Sequence, residues 1–102
     1  MRNPNFTNEQ LGIIYENFRT VHSKLENVFM AIAEEGQISL GDINKRSEIS
    51  DFIGKQCVAA LQITGLIEVY GEGTVKICKL TDEGKKMEEL IMRVRKDKKW
   101  KN

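Results

Sequence analysis

The sequence predicts a mainly helical α+β protein with a small β-hairpin, in which a helix-turn-helix is flanked by further helices on both sides. Three observations lead to this prediction. Two short helical segments each follow a serine and are separated by only three residues, alternating residues then form two strands around a glycine-rich tip, and apolar residues keep a helical spacing before and after this region. A chain of 102 residues, 40% hydrophobic and 30% charged, suffices for one domain with a modest core.

The N-terminal third is predicted to be helical after a loose tail that ends near Phe6. Thr7 and Gln10 have the spacing of a capping box, which begins a helix. No glycine or proline interrupts residues 13–35, and Gly36 closes the run, so we predict one long helix, or two nearly collinear helices, over residues 7–35. A second capping-box pattern at residues 23–26 argues for a kink near residues 20–23. The apolar residues alternate in steps of three and four, as in a heptad seam: Leu11, Ile14, Phe18, Val21, Leu25, Val28 and Ile32.

Residues 39–64 are predicted to form the helix-turn-helix. Ser39 and Ser50 are each placed to cap the helix that follows. Only residues 47–49 separate the two helices, and so short a turn forces a steep crossing. In the second helix, Gly54, Val58 and Leu61 share one face and are expected to be buried. The residues expected to be exposed are Asp51, Phe52, Lys55, Gln56, Ala59 and Gln62, with Ile53 near the edge.

The remaining residues predict a hairpin and a last helix. Gly65 ends the second helix, and residues 66–70 and 74–79 alternate as two strands of a hairpin over residues 66–80, with a third strand available at residues 37–39. Thr81 caps a helix predicted over residues 82–96. Its apolar stripe consists of Met87, Leu90, Ile91 and Val94, and residues 97–102 are expected to be a basic tail.

Two short motifs carry a resemblance to a known family. They are Leu61-x-x-x-Gly65-Leu66-Ile67 after the second helix and Leu80-Thr81-x-x-Gly84-Lys85-Lys86 after the hairpin. With these motifs the chain resembles the winged helix-turn-helix of small dimeric transcription regulators such as the MarR type, over roughly residues 25–90. The resemblance implies a single winged domain, a double-stranded DNA partner and a homodimer, acting as a repressor or another transcription regulator, or as a plasmid or viral partition protein.

In such a protein the helix after Ser50 lies in the major groove and the wing lies near the DNA backbone. Cations on these elements can contact phosphates, and glutamine amides can pair with adenine. The residues predicted to bind DNA are Lys45, Arg46, Ser50, Asp51, Phe52, Lys55, Gln56, Ala59, Gln62, Tyr70, Thr74 and Lys76.

Some of these residues depart from the pattern of strong DNA readers. Asp51 would repel phosphate, and Glu72 occupies the wing tip, where arginine is the usual minor-groove probe. Phe52 could contact thymine methyl groups, pack under the first helix of the domain, or anchor a protein interface. An alternative function is therefore a winged-helix interaction module that holds a protein partner through Phe52 and Ile53.

The charge distribution gives residues 1–92 no excess of positive charge that could bind DNA. The net charge is +1, but residues 93–102 carry six basic groups against Asp97, so residues 1–92 have a balance of −4. DNA binders need cations where phosphates lie, and here a few well-placed lysines must supply them.

Apolar surface at both ends of the chain predicts a dimer. The helix before residue 20 is longer than a winged core requires, and its apolar side must be covered by the last helix of the same chain, by a second subunit, or by both. The residues assigned to dimerisation are Leu11, Ile14, Tyr15, Phe18, Met87, Leu90, Ile91 and Val94.

Several functional classes have no support in the sequence. There is no phosphate loop or nucleophile motif, so we expect neither an enzyme nor a cofactor. Cys57, Cys78 and His22 are too few and too scattered for a structural zinc, and we expect the cysteines to be small apolar side chains near the core, with a disulfide as the alternative. No apolar run approaches the ~20 residues of a membrane span. We expect a cytoplasmic protein without a membrane partner.

Overall fold

The computed structural model describes residues 5–71 and 75–101, with side chains described as far as Asp97. It confirms a mainly helical fold with a small antiparallel sheet. In chain order the elements are α1 (Asn8–Glu16), α2 (Phe18–Val21), α3 (Leu25–Glu35), β1 (Gln37–Ser39), α4 (Leu40–Ser47), α5 (Asp51–Ile63), β2 (Ile67–Tyr70), β3 (Ile77–Leu80) and α6 (Asp82–Lys101).

The first helix begins as predicted. The hydroxyl of Thr7 accepts a hydrogen bond from the backbone N–H of Gln10 at 3.1 Å, and the Gln10 side chain accepts one from the Thr7 N–H at 2.9 Å. This reciprocal pair satisfies two N–H groups that would otherwise lack partners at the helix start. The capping box is therefore formed.

Residues 7–35 form neither one long helix nor two helices, because they contain three, and the second break lies where a kink near residues 20–23 was predicted. The chain breaks at Asn17, whose side-chain amide donates to the carbonyl of Ile13 at 2.7 Å, and again at His22, whose backbone is extended. The predicted second capping box does not form either, because Lys24 is the N-cap of α3 and its side chain makes no cap bond. With these breaks, α1 packs against α6, while α3 packs against α4, α5 and α6.

The helix-turn-helix follows the prediction closely. The hydroxyl of Ser39 accepts from the N–H of Asp42, and that of Ser50 accepts from the N–H of Ile53, both at 3.2 Å. Between the helices, Glu48 adopts a left-handed conformation with φ 53° and ψ 48°, which ends α4 and turns the chain toward α5. The buried face of α5 contains Gly54, Cys57, Val58 and Leu61.

The three strands form one antiparallel sheet in the order β1-β3-β2, so the third strand predicted at residues 37–39 is present. The second hairpin strand starts at Ile77 rather than at residue 74, and Tyr70 is its last partner on β2. Just before this strand, the carbonyl of Lys76 accepts the N–H of Leu40 at 3.0 Å and ties the wing to the start of α4. The tip that was predicted at residues 71–73 lies partly outside the described residues.

The two sequence motifs meet at one junction. Gly65, with φ 81°, turns the chain after α5, and its carbonyl accepts a hydrogen bond from the Thr81 hydroxyl. The same hydroxyl accepts the N–H of Gly84 at 3.1 Å and so caps α6, while the Thr81 N–H donates to the carbonyl of Leu66 at 3.1 Å. Thr81 therefore joins the ends of α5, the hairpin and α6.

The last helix is longer than predicted, since its backbone stays helical to Lys101. The expected basic tail from residue 97 is thus a helical extension, which fits the good helix propensity of lysine. No helix in the ranges described above is both long and apolar enough to cross a membrane.

Four of the residues assigned to dimerisation are corrected by their burial. Leu11, Phe18, Met87 and Ile91 are at most 3% exposed and belong to the chain's own core. Their side chains have no surface to offer a second subunit, because they are packed inside the core of the single chain. The other four, Ile14, Tyr15, Leu90 and Val94, are half-buried.

Candidate nucleic-acid interface

Helix α5 presents one complete face to solvent. All six residues predicted on that face, Asp51, Phe52, Lys55, Gln56, Ala59 and Gln62, are exposed, and Ile53 is half-buried at its edge. The opposite face is buried against the core, where burial raises the pKa of the Cys57 thiol. Cys78 on β3 is also buried, burial raises its pKa to about 11, and both cysteines are free thiols.

The first turn of the exposed face is electrically balanced. A carboxylate oxygen of Asp51 lies 3.0 Å from the Lys55 ammonium, one turn further along the helix. The other oxygen of Asp51 accepts a hydrogen bond from the side-chain amide of Asn44, on α4, at 3.3 Å. Asp51 therefore links the two helices and lowers the positive charge that α5 presents.

Phe52 stands free on this face with 68% of its surface exposed. The alternative that it packs under the first helix of the domain is excluded. The ring is therefore available to a thymine methyl group or to a protein.

The two cations at the end of α4 have different environments. Lys45 is exposed and has no carboxylate partner within the described ranges. Arg46 is bound through both terminal nitrogens, to Glu34 at 2.7 Å and to Glu35 at 2.8 Å. Neither acid was among the site residues predicted from the sequence. The sequence does contain an indication of this pairing. Acidic residues in the last turn of a helix interact unfavourably with its dipole, and a nearby cation offsets that interaction.

The remaining predicted residues lie on the wing and at the start of α5. The Tyr70 hydroxyl donates to the side-chain oxygen of Gln37 at 2.7 Å, across β3, so the ring leans toward β1. Lys76 is exposed beside the start of α4, and Ser50 uses its hydroxyl as a helix cap. Thr74 lies outside the described residues. Gln37 was not foreseen, because its partnership with Tyr70 depends on the order of the strands.

A second exposed feature is an apolar groove between α1, α2 and the end of α5. It has a volume of about 210 Å³, and its lining includes Ile13, Val21, Ala60 and Thr64. Ile13 and Val21 are each 56% exposed. No three His, Cys, Asp or Glu side chains come together as metal ligands in the described part of the chain.

The chain is similar in structure to several solved proteins. RV1404 from Mycobacterium tuberculosis superimposes with a TM-score of 0.72 at 15% identity, over 89% of this chain and 62% of its own. This chain thus spans less than two thirds of that protein. A second similar structure is BpsR from Bordetella bronchiseptica, studied for the regulation of its DNA binding by 6-hydroxynicotinic acid. It superimposes with a TM-score of 0.69 at 17% identity, over 87% of this chain and 72% of its own.

A further similar structure is the PcaV transcriptional regulator from Streptomyces coelicolor in complex with its natural ligand. It gives a TM-score of 0.66 at 18% identity, over 94% of this chain and 79% of its own. No protein-family model matches the chain, and no curated protein matches it in sequence. The element order, the capped α4–α5 pair and the three-stranded sheet, together with these similarities, show that the chain has the winged helix-turn-helix fold expected from its resemblance to MarR-type regulators.

Proposed function

We propose that this chain is a sequence-specific double-stranded DNA-binding protein and, as a homodimer, a transcription regulator of the repressor type. The observation that carries the proposal is the exposed face of α5, which is held by the Ser50 cap and packed onto α4 through its opposite side. A helix presented in this way on a helix-turn-helix fits the major groove. The similarity to BpsR and PcaV supports the same function.

Charge and exposure assign roles to the residues of this surface. Lys45 contacts phosphate, because it is exposed and free of a carboxylate within the described ranges. Lys55 contacts phosphate as well. The side chains of Lys55 and Asp51 are each 66% exposed, and because such an exposed pair is worth only about 0.3–0.5 kcal/mol, a phosphate can replace Asp51 as the partner of Lys55. Gln56 lies one turn into the helix, where its amide can pair with adenine.

The wing and the helix start complete the proposed contact surface. Lys76 and Tyr70 approach the DNA backbone from the flank of the hairpin, and Ser50, Ala59 and Gln62 line the groove side of α5. This arrangement keeps most contacts on phosphates, with few base contacts near the start of α5. Phosphate contacts supply register and affinity, whereas base contacts supply specificity.

The dimer in this proposal uses surface that the single chain leaves open. Ile13 and Val21 flank the apolar groove beside α5, and their exposed area is what a second copy would cover. Two copies related by a twofold axis would present two α5 helices. For groove reading, these helices must stand about 34 Å apart, one turn of B-DNA.

Selection from a pool of random duplexes tests the proposal, followed by titration of the selected duplex at several salt concentrations. We expect an enriched sequence and a steep fall of affinity with salt, because neutralising phosphates releases counterions. A scrambled duplex of the same length is the control. Absence of enrichment together with a flat salt dependence would contradict the proposal.

One observation favours a second candidate function. Phe52 is largely exposed, and the Asp51–Lys55 pair beside it leaves the start of α5 without net charge. A neutral surface with a central aromatic ring suits a protein partner, since aromatic side chains are common anchors of protein interfaces. In this alternative, the chain is an interaction module that uses Phe52 and Ile53.

A further inference from the structure

We propose that Arg46 is a positioning residue, which locks α4 of the helix-turn-helix to the end of α3, and that it does not bind DNA phosphate. The DNA part of this inference rests on the proposed function. Its starting point is the ion pair between Arg46, in the last turn of α4, and two consecutive acids in the last turn of α3. Sequence alone had placed Arg46 among the phosphate contacts.

The geometry satisfies both ends of the guanidinium. One terminal nitrogen lies 2.7 Å from a carboxylate oxygen of Glu34, and the other lies 2.8 Å from an oxygen of Glu35. Arginine suits such a double contact, because its donors are fixed in a planar fork. A lysine ammonium carries its three donors on one nitrogen and cannot reproduce this two-nitrogen fork.

The local charge argues against phosphate at this site. Glu34 and Glu35 together carry two negative charges against the single positive charge of Arg46, so the charge of this guanidinium is already offset within the chain. The Arg46 side chain is 38% exposed, compared with 66% for that of Lys55. A phosphate would have to displace two carboxylates to reach Arg46, but only one well-solvated carboxylate to reach Lys55.

The position of the acids gives the contact a structural purpose. Two glutamates in the last turn of α3 lie at the negative end of the helix dipole, where each is unfavourable. Arg46 offsets this conflict and at the same time fixes the distance between the ends of α3 and α4. Because α4 sets the angle of α5, the contact fixes how the recognition face is presented.

A mutant cycle distinguishes a role of Arg46 in positioning α4 from a role in binding DNA phosphate. The variants are Arg46→Gln, the double variant Glu34→Gln/Glu35→Gln, and the triple combination, with Lys45→Gln as the matched control from the same turn. The measurements are the melting temperature, amide hydrogen exchange in α4, and the salt dependence of binding to a random-sequence duplex. The conservative variant Arg46→Lys completes the set.

If Arg46 positions α4, Arg46→Gln lowers the melting temperature by about 2–6 °C in the wild-type background and has little effect once both acids are removed. Exchange in α4 rises several-fold in the Arg46→Gln and the Glu34→Gln/Glu35→Gln variants, and no further in the triple variant. In Arg46→Gln, the affinity for DNA falls several-fold, but the slope of log affinity against log salt concentration does not change. In Lys45→Gln, this slope flattens by about one unit. Arg46→Lys recovers only part of the loss.

Two results would overturn the inference. One is a salt slope that flattens by about one unit in Arg46→Gln, in both backgrounds, as expected for a phosphate ligand. The other is unchanged α4 exchange in Arg46→Gln. If the wild-type chain shows no salt-dependent binding to duplex DNA, the proposed function fails, but the melting and exchange cycle still decides the role of Arg46.

Discussion

Gly84 lies directly against the backbone carbonyl of Leu66, so close that a β-carbon on residue 84 would overlap its oxygen. That carbonyl also accepts the N–H of Thr81, which fixes it in place. The start of α6 can therefore approach the strand after α5 only because residue 84 has no side chain. This contact explains physically why a glycine stands three residues after the threonine in the second sequence motif.

We expect Gly84→Ala to lower the free energy of unfolding by about 2–4 kcal/mol, because the overlap is with backbone and cannot be relieved by a rotamer change. The gain in helix propensity, about 1 kcal/mol, opposes but does not cancel this loss. Urea denaturation measures the difference. Gly12→Ala in α1 is the matched control, since a β-carbon there meets no atom within 4 Å beyond its own stretch of helix and should stabilise the chain. Equal effects of the two variants would contradict the explanation.

Glu48 offers a stabilising substitution at the turn between α4 and α5. Its φ of 53° lies in the left-handed region, which costs a residue with a β-carbon about 1–2 kcal/mol and glycine very little. Because glycine also loses more entropy on folding, we expect Glu48→Gly to raise the free energy of unfolding by about 0.5–1 kcal/mol. Glu48→Val, with a branched side chain, should lower it. The order of the two melting temperatures is the test.

The buried carboxylate of Glu83 predicts a specific loss of stability in acid. It accepts the N–H of Phe6 at 2.9 Å and the ammonium of Lys86 at 3.0 Å. Burial alone would raise the pKa of Glu83, but these hydrogen bonds and the charge of Lys86 outweigh it and lower the pKa. A lowered folded-state pKa stabilises the fold above the unfolded pKa, about 4.3 for glutamate, and this contribution is lost as the pH falls through the folded value.

We therefore expect Glu83→Gln to be less stable than the wild type at pH 7 and closer to it in acid, where Glu83 is protonated. Urea unfolding at neutral pH and in acid measures both differences. Glu89→Gln, at an exposed position of the same helix, is the control. A constant gap between Glu83→Gln and the wild type at every pH would count against a charged role for this carboxylate.

The proposed dimer can be tested at the groove that the structure leaves exposed. Ile13→Glu should convert a dimer into a folded monomer, because it introduces a charge where a second copy would cover apolar surface. Sedimentation velocity at tens of micromolar gives the mass, and Thr20→Glu, at an exposed polar position nearby, should remain dimeric. Phe18→Glu should instead unfold the chain, since Phe18 is buried in the core. A wild-type monomer at these concentrations would refute the dimer.

Gln56 and Phe52 distinguish DNA reading from protein binding. Gln56→Ala should relax sequence preference by about 1–3 kcal/mol at one base pair while the melting temperature stays unchanged. Phe52→Ala should also fold normally, because its ring is exposed, and should lower affinity for the selected duplex. If Phe52→Ala keeps its DNA affinity but loses a protein partner in a pull-down, the interaction-module hypothesis is favoured.

The sequence by itself determined the elements whose signals lie within one turn or one strand. Ser39 and Ser50 cap α4 and α5 as their spacing required, and Gly65 ends α5. The spacing of Gly54, Val58 and Leu61 identified the buried face of α5, and with it the exposed one. These features depend on backbone hydrogen bonds and side-chain periodicity over three or four residues, and such short-range rules can be applied to a sequence.

Only the tertiary structure decided which partner each surface meets. The heptad seam before residue 35 looks the same whether its helix is straight or broken, but α1 packs against α6, and Leu11 and Phe18 are buried in the chain's own core. In the same way, Arg46 is an exposed cation of the kind that binds phosphate, but in the folded chain it is paired with Glu34 and Glu35 of α3. An amphipathic face or an exposed cation specifies the kind of partner it needs, whereas the packing of distant segments determines whether the chain supplies that partner itself.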